Sequence, residues 1–303
     1  MHDLYSIYTK VRRILKTALK QYLVNGQNLR QYSNPPKMSD LEILSLAITA
    51  ECLGIDSENL LWSKIQKDFA DKFPSLIHRT RFNARRKSLS EWLIVCADIW
   101  SAEMTDRDKE FIIDSIPIPV CKISRERSSR VCRKEHHELK ATKGWSSSDK
   151  QYFIGYKLHL ITSVSGVYQE HALLPANVHD IVFLKQLERT HLFNCQLIGD
   201  RAYQSHPLQL RMFDERQIDL QVPYKSNQRD FREYPYDLKI KRKRIETTFS
   251  QYCDEFMLKR NYAKSDIGLS IRIDTKITAM TFKQFWNFIH GNKISKTKHS
   301  LAA

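Results

Sequence analysis

From Leu4 to about residue 104, apolar positions recur every three or four residues. Leu4, Ile7, Tyr8, Val11, Ile14, Leu15, Ala18, Leu19, Tyr22 and Leu23 form one stripe, which predicts an amphipathic helix with a basic outer face. "SDLE", Ser39 to Glu42, has the spacing of a capping box and predicts a second helix through Leu41, Leu44 and Ile48. A third is expected from Ser57 to about Lys72, stopped by Pro74, and a fourth carries Phe82, Leu89, Trp92, Leu93, Cys96, Ile99 and Trp100 on one face. The early part of that fourth helix, "HRTRFNARRKSL", is densely basic.

Past "TDRDKE" the period changes. "FIID" reads as a short buried strand, with Pro117 and Pro119 expected to limit its pairing. "YFIGYKLHLITSV" alternates, Ser165 and Gly166 make a turn, and "VYQEHALLPANV" returns as a strand. "HDIVFLKQLERTHL" predicts a helix, "CQLIGD" a strand, "SHPLQLRMFDERQ" a helix, "IDLQVPY" a strand and "LKIKRKRIETTFSQYCDEFML" a long helix. A last helix uses Ile273, Ile277, Met280, Phe285 and Phe288, before a basic tail over 291–303 that is expected to fray. Residues 122–150 are polar, basic and without period, and read as a mobile loop that contacts DNA.

Charge sharpens this picture. A net charge of +15 over 303 residues points to a polyanionic partner, nucleic acid before a membrane surface, since no stretch approaches 20 apolar residues. A helix, a turn and a basic helix together suit the major groove of duplex DNA. Six scattered cysteines without a CxxC pair fit a reducing cytosol, and the spacing of Cys121, Cys132, His136 and His137 matches no standard zinc pattern.

Two strands end on acids, Asp114 in "FIID" and Asp200 in "LIGD". A right-handed crossover places the second strand parallel to the first and beside it, bringing the two carboxylates together. Like charges so close repel unless a cation lies between them, and hard oxygen donors suit Mg²⁺ or Mn²⁺. Glu246, on a helix whose apolar stripe holds Ile245, Phe249 and Phe256, is the third candidate; Lys241, Arg242, Lys243 and Arg244 in the preceding turn face phosphates. Asp180 in "ANVHD" is read as an ordinary N-cap.

In this order "FIIDSIPIPVC", "YFIGYKLHLIT", "LPANVHD", "LIGDRAY" and "KRKRIETTFSQ" resemble the DDE transposases of bacterial insertion sequences. Upstream, "FPSLIHRTRFNARRKSL" is similar to the helical segment of the insertion sequence 982 group. Sister groups carry a tyrosine, arginine, glutamate and lysine signature around the third acid; Arg242 and Glu246 match it, while Lys239 and Cys253 stand at the tyrosine and lysine positions.

The resemblance implies an all-α, helix-turn-helix-like DNA-binding domain over 1–104. A ribonuclease-H-like α/β catalytic domain follows over 105–290, with a mixed five-stranded sheet and flanking helices. It implies that Asp114, Asp200 and Glu246 hold two Mg²⁺ or Mn²⁺ ions and cut and join DNA at the terminal inverted repeats of an insertion sequence. A homodimer or larger synaptic complex in the bacterial cytoplasm, at the nucleoid, is expected. Arg81, Arg85, Arg86, Lys157, Arg201, Arg242, Lys243 and Arg244 are the expected DNA contacts. His159 is read as a satisfied strand histidine. A metal-dependent nuclease or resolvase of the same fold, and an inactive DNA-binding protein, are the alternatives.

Overall fold

The computed structural model describes residues 3–129, 131, 140–147, 149–186, 191–224, 226–228, 231–260 and 262–301. It divides into two compact units. One comprises residues 1–104, 252–261 and 270–303, the other 105–251 and 262–269.

In the first unit, α1 (Leu4–Ala18) buries Leu4, Ile7, Tyr8, Val11, Ile14 and Leu15, the stripe its sequence predicts. Helix α2 (Asp40–Cys52) opens with the expected box. Glu42 N–H donates to Ser39 Oγ at 3.3 Å, and Ser39 N–H donates to Glu42 Oε2 at 2.7 Å. Such a cap contributes about 1 kcal/mol. Helix α3 (Glu58–Asp68) is capped by Ser57. The single helix expected next is two, α4 (Arg79–Ser88) and α5 (Ser90–Thr105), broken at Leu89. Serines on both sides explain the break: Ser88 Oγ donates to the Arg85 carbonyl at 2.9 Å and Ser90 Oγ to that of Lys87 at 3.0 Å, which competes with the helix ladder.

The second unit is built on a six-stranded mixed sheet. Its strands are β1 (Glu110–Cys121), β2 (Thr142–Ser146), β3 (Gln151–Ser163), β4 (Tyr168–Pro175), β5 (Cys195–Ile198) and β6 (Ile218–Gln221). The order is β2-β3-β1-β5-β6, with β4 also on β3. β3 runs antiparallel to β1, β2 and β4, whereas β1, β5 and β6 are mutually parallel. Helices α6 (Ile181–Gln186) and α7 (His206–Arg216) sit with the sheet in one core through Phe183, Leu184, Leu208 and Met212 against Ile113, Ile161 and Leu197. The long α8 (Tyr236–Phe256) buries Leu238, Ile245, Phe249, Tyr252 and Phe256.

Several expectations change, the strand count first: the sheet has six strands where five were expected, β2 being the addition. β1 does not stop at its prolines but pairs with β3 through Pro119, opposite Gly155. Beyond Ile112 it has no strand partner on its other side among the described residues, so both prolines, two residues apart and directed alike, can sit at an edge where no ladder bond is lost. The segment 122–150 is not all loop, since β2 lies inside it; residues 130, 132–139 and 148 are outside the described residues. Cys132, His136 and His137 are among those, so the zinc reading falls outside as well.

The last helix, α9 (Asp266–Ile289), counts from residue 270 with the first compact unit. Ile271, Ile273, Ile277, Met280, Phe282, Phe285 and Trp286 are all buried, so it needs cover on several sides. Trp100 packs on Phe282 with ring centroids 5.7 Å apart, and Thr278 Oγ1 donates to the Leu93 carbonyl at 2.9 Å. Lys276, 1% exposed, pairs with Glu51 at 2.7 Å. The tail is packed too: Thr297 Oγ1 donates to Glu255 Oε1 at 2.6 Å, and Leu301 is buried.

Candidate active site

The site grows from one register. Ile112 pairs with Ile198 across parallel β1 and β5, and two residues on from each pair member come Asp114 and Asp200. Equal steps from a paired position carry both aspartates just past the paired stretch of neighbouring strands, on the same side of the crossover. Each is oriented locally. Asp114 Oδ1 accepts from Ser115 N–H at 2.7 Å, and Asp200 Oδ1 accepts from Ala202 N–H at 2.8 Å as it caps the short turn Arg201–Tyr203.

The electrostatics bear the marks of crowding. Burial pushes the Asp114 carboxyl up to about 7, and Asp200 and Asp180 add to the rise while the Ser115 N–H and Arg242 oppose it. Asp200 is raised as well, by burial and then by Asp180, against the Ala202 N–H and Arg242. Arg242, on α8, therefore acts as a counter-charge to both aspartates.

Asp180 is the residue whose sequence reading changes most. Its carboxylate pairs with Lys157 of β3, and the side-chain cap of α6 is His179, whose Nδ1 accepts from Ile181 N–H at 3.3 Å. Below it lies His159, fully buried opposite Ser115. Its Nδ1 is 3.0 Å from the Tyr203 hydroxyl, and its Nε2 is 3.9 Å from Asp180 Oδ1. Burial lowers the His159 pKa to about 4, so the ring is neutral near pH 7. Tyr203, also fully buried, is pushed far up by burial and by Asp180, Asp114 and Asp200, so its phenol stays protonated. The sequence signal for this layer was the short spacing from Asp200 to Tyr203 in "GDRAY" and the alternation of Lys157 with His159.

Glu246 is not gathered into the cluster. It is exposed on α8, and among the described residues no three His, Cys, Asp or Glu side chains are placed to hold a metal. The periodicity explains this: Ile245 takes the buried position and turns the next residue outward. The donor chemistry of the aspartate pair still fits a hard divalent cation. Two crowded carboxylates, each with one oxygen on a backbone N–H, are destabilised in the charged form and relieved by positive charge.

The basic residues expected on DNA divide in two. Arg81 and Lys243 are exposed, and so is Arg201, with one guanidinium nitrogen 3.4 Å from the Tyr224 carbonyl. Others are engaged inside the fold. Arg85 binds Asp40 at 2.5 Å and the Met38 carbonyl; Arg86, 8% exposed, binds Glu58 at 2.9 Å. Both are held by carboxylates within the first unit. Arg244 Nε donates to the Ser165 carbonyl at 3.1 Å and lies where a side chain at Gly166 would have to go.

No helix among the described residues is long and apolar enough to cross a membrane. The family model described as transposase DDE domain matches residues 106–282. No curated protein and no solved structure matches the chain. Domains of that family have a ribonuclease-H-like fold and act on DNA with divalent metal ions, and the mixed sheet with flanking helices agrees with that architecture. With more than half of its residues inside the match, the chain belongs to the transposase DDE domain family.

Proposed function

We propose that the chain is the transposase of a bacterial insertion sequence, similar to the insertion sequence 982 group, which binds the terminal inverted repeats, cleaves there and joins the freed 3′-hydroxyl to target DNA. The observation that carries the reading is the aspartate pair just past the paired stretch of parallel β1 and β5, where burial raises both carboxyls and a cation would favour their charged forms. Glu246 is the proposed third acid. It follows Arg242 by four residues and so shares its side of α8, and Arg242 already acts on both aspartates. Asp114, Asp200 and Glu246 would hold two Mg²⁺ or Mn²⁺ ions.

When bound, such ions neutralise charge on the phosphate and make the attacking hydroxyl more acidic. The chain's own groups prepare the place. Asp114 within β1 and Asp200 just past β5 are oriented by backbone N–H groups. His159 and Tyr203 form a neutral, buried floor, so no proton is traded with the carboxylates near pH 7. Arg81, Arg201 and Lys243 supply exposed cations for phosphates. Joining two ends implies a homodimer or larger synaptic assembly, working in the cytoplasm at the nucleoid.

The experiment is incubation with a duplex carrying the element's end, Mg²⁺ and a supercoiled target plasmid, beside Asp200→Ala. Joined products lost in the variant support the transposase. Cuts without joining indicate a nuclease or resolvase, and binding alone indicates an inactive DNA-binding protein.

A further inference from the structure

The strands that carry the site continue past it. From Leu160, the partner of Asp114, β3 runs back eight residues to Tyr152, paired with Trp145 of β2. Alternation puts Tyr152 on the same face of β3 as Leu160. At its end two large rings stand out of the sheet. Trp145 and Tyr152 are each 53% exposed, and their centroids lie 4.8 Å apart, edge to face. The Lys143 ammonium is 4.8 Å from the Tyr152 ring centroid. A cleft of about 640 Å³ opens beside Tyr152, walled by Pro119, Cys121, Lys122 and Ile123.

The inward positions of β2 are small: Gly144, with no room for a side chain against Ala176, and Ser146. Thus the hairpin spends its small residues on the core and shows its aromatics to solvent, the reverse of an ordinary edge strand. The chemistry around the rings favours an anionic aromatic ligand. Residues 122–150 hold nine Lys and Arg against four Asp and Glu. Exposed rings interleaved with lysines suit the stacking of a nucleobase whose phosphates meet the cations.

We propose that Trp145 and Tyr152 form a stacking platform for one unstacked base of the DNA held across the aspartates, with Lys143 and Lys122 on the flanking phosphates. The inference rests on the DNA-cutting reading above. β3 then acts as a ruler: eight residues at about 3.3 Å each span about 26 Å. At about 3.4 Å per base pair this places the base roughly seven to eight pairs from the cleaved phosphate.

The test compares end-bearing duplexes that are fully paired with ones carrying a single unpaired base at each position five to ten pairs from the cut. Binding is read in Ca²⁺ and cutting in Mg²⁺. The wild type should bind one of these, near position seven or eight, about tenfold more tightly than the paired duplex. Trp145→Ala with Tyr152→Ala should lose that preference while still binding the paired duplex, and Trp145→Phe with Tyr152→Phe should keep it. Equal binding of all duplexes by a wild type that cuts normally overturns the platform and leaves the transposase reading intact. A shift of the alanine variant from dimer to monomer with unchanged preference also overturns it, in favour of a face between copies. Absence of binding and cutting on every duplex overturns both readings together.

Discussion

Asp180, just before α6, is paired with Lys157 in the middle of β3, and its charge raises the pKa of both Asp114 and Asp200. Three carboxylates and one partly buried lysine share this region. Lys157→Ala removes the ammonium and leaves Asp180 uncompensated, with an expected loss of about 2 kcal/mol of stability. Adding Asp180→Asn should restore most of it. Chemical denaturation of both variants checks this; a double variant no better than the single one would show that the pair matters only for packing.

Replacing either strand-end aspartate should separate chemistry from binding. Asp114→Asn and Asp200→Asn are each expected to lower cleavage about a thousandfold or more with DNA affinity within about twofold. Single-turnover cutting beside fluorescence anisotropy reads both quantities.

The pH dependence of stability in metal-free buffer should be a balance of two opposed groups. Asp114, raised to about 7 in the fold against about 3.9 unfolded, binds its proton more tightly when native. Its contribution therefore falls as pH rises from about 4 to 7. His159, lowered to about 4 against about 6.5 unfolded, does the opposite and loses stability as pH falls through that window. Asp114→Asn should reduce the loss on raising pH to the part that Asp200 contributes, and His159→Gln should remove the acid-side loss. Melting temperatures between pH 4 and 8 would show the two slopes; parallel profiles for both variants would refute the assignment.

Within the first unit, Arg85→Ala and Arg86→Ala each strand a largely buried carboxylate, Asp40 or Glu58. Each should cost about 3 kcal/mol. Arg81→Ala should leave melting unchanged and reduce the salt slope of DNA binding by about 1.

Gly155 sits where an added Cβ would lie 2.1 Å from the Ile118 carbonyl oxygen, a backbone atom that only strand movement can displace. Gly155→Ala is expected to destabilise the second unit by about 2 kcal/mol. The loss of amide protection should be greatest around Ile118 and Tyr156, which hydrogen-exchange mass spectrometry can localise.

The parts legible in the sequence are those where one residue's neighbours carry the message. The stripe of α1, the box at Ser39 and the parallel placement of "FIID" beside "LIGD" needed only periodicity, a cap and a crossover rule. β2 was hidden because its polarity is inverted: Lys143 and Trp145 face out while Gly144 and Ser146 face in, so "TKGWS" carries no inward apolar pattern. The break at Leu89 was hidden because serine hydroxyls, not a Gly or Pro, make it. Asp180 looked like a cap because it opens a helix; that its carboxylate reaches β3 instead depends on Lys157, twenty-three residues away. Glu246 was legible as a helix residue, but the exposure of its side chain follows from how Ile245 is packed.

The buried pair of Glu51 with Lys276 links two positions 225 residues apart. Helix α2 leaves the ribosome long before the lysine that answers its carboxylate, and before Phe282 can cover Trp100. A nascent chain therefore holds its first hundred residues with an open core until nearly all the rest has been made, and a fragment stopped within α8 lacks the groups that close it. The emergence of α9, rather than any later signal, becomes the moment at which the unit bearing Arg81 can close, so products truncated before residue 270 would be poor competitors for whatever that unit binds.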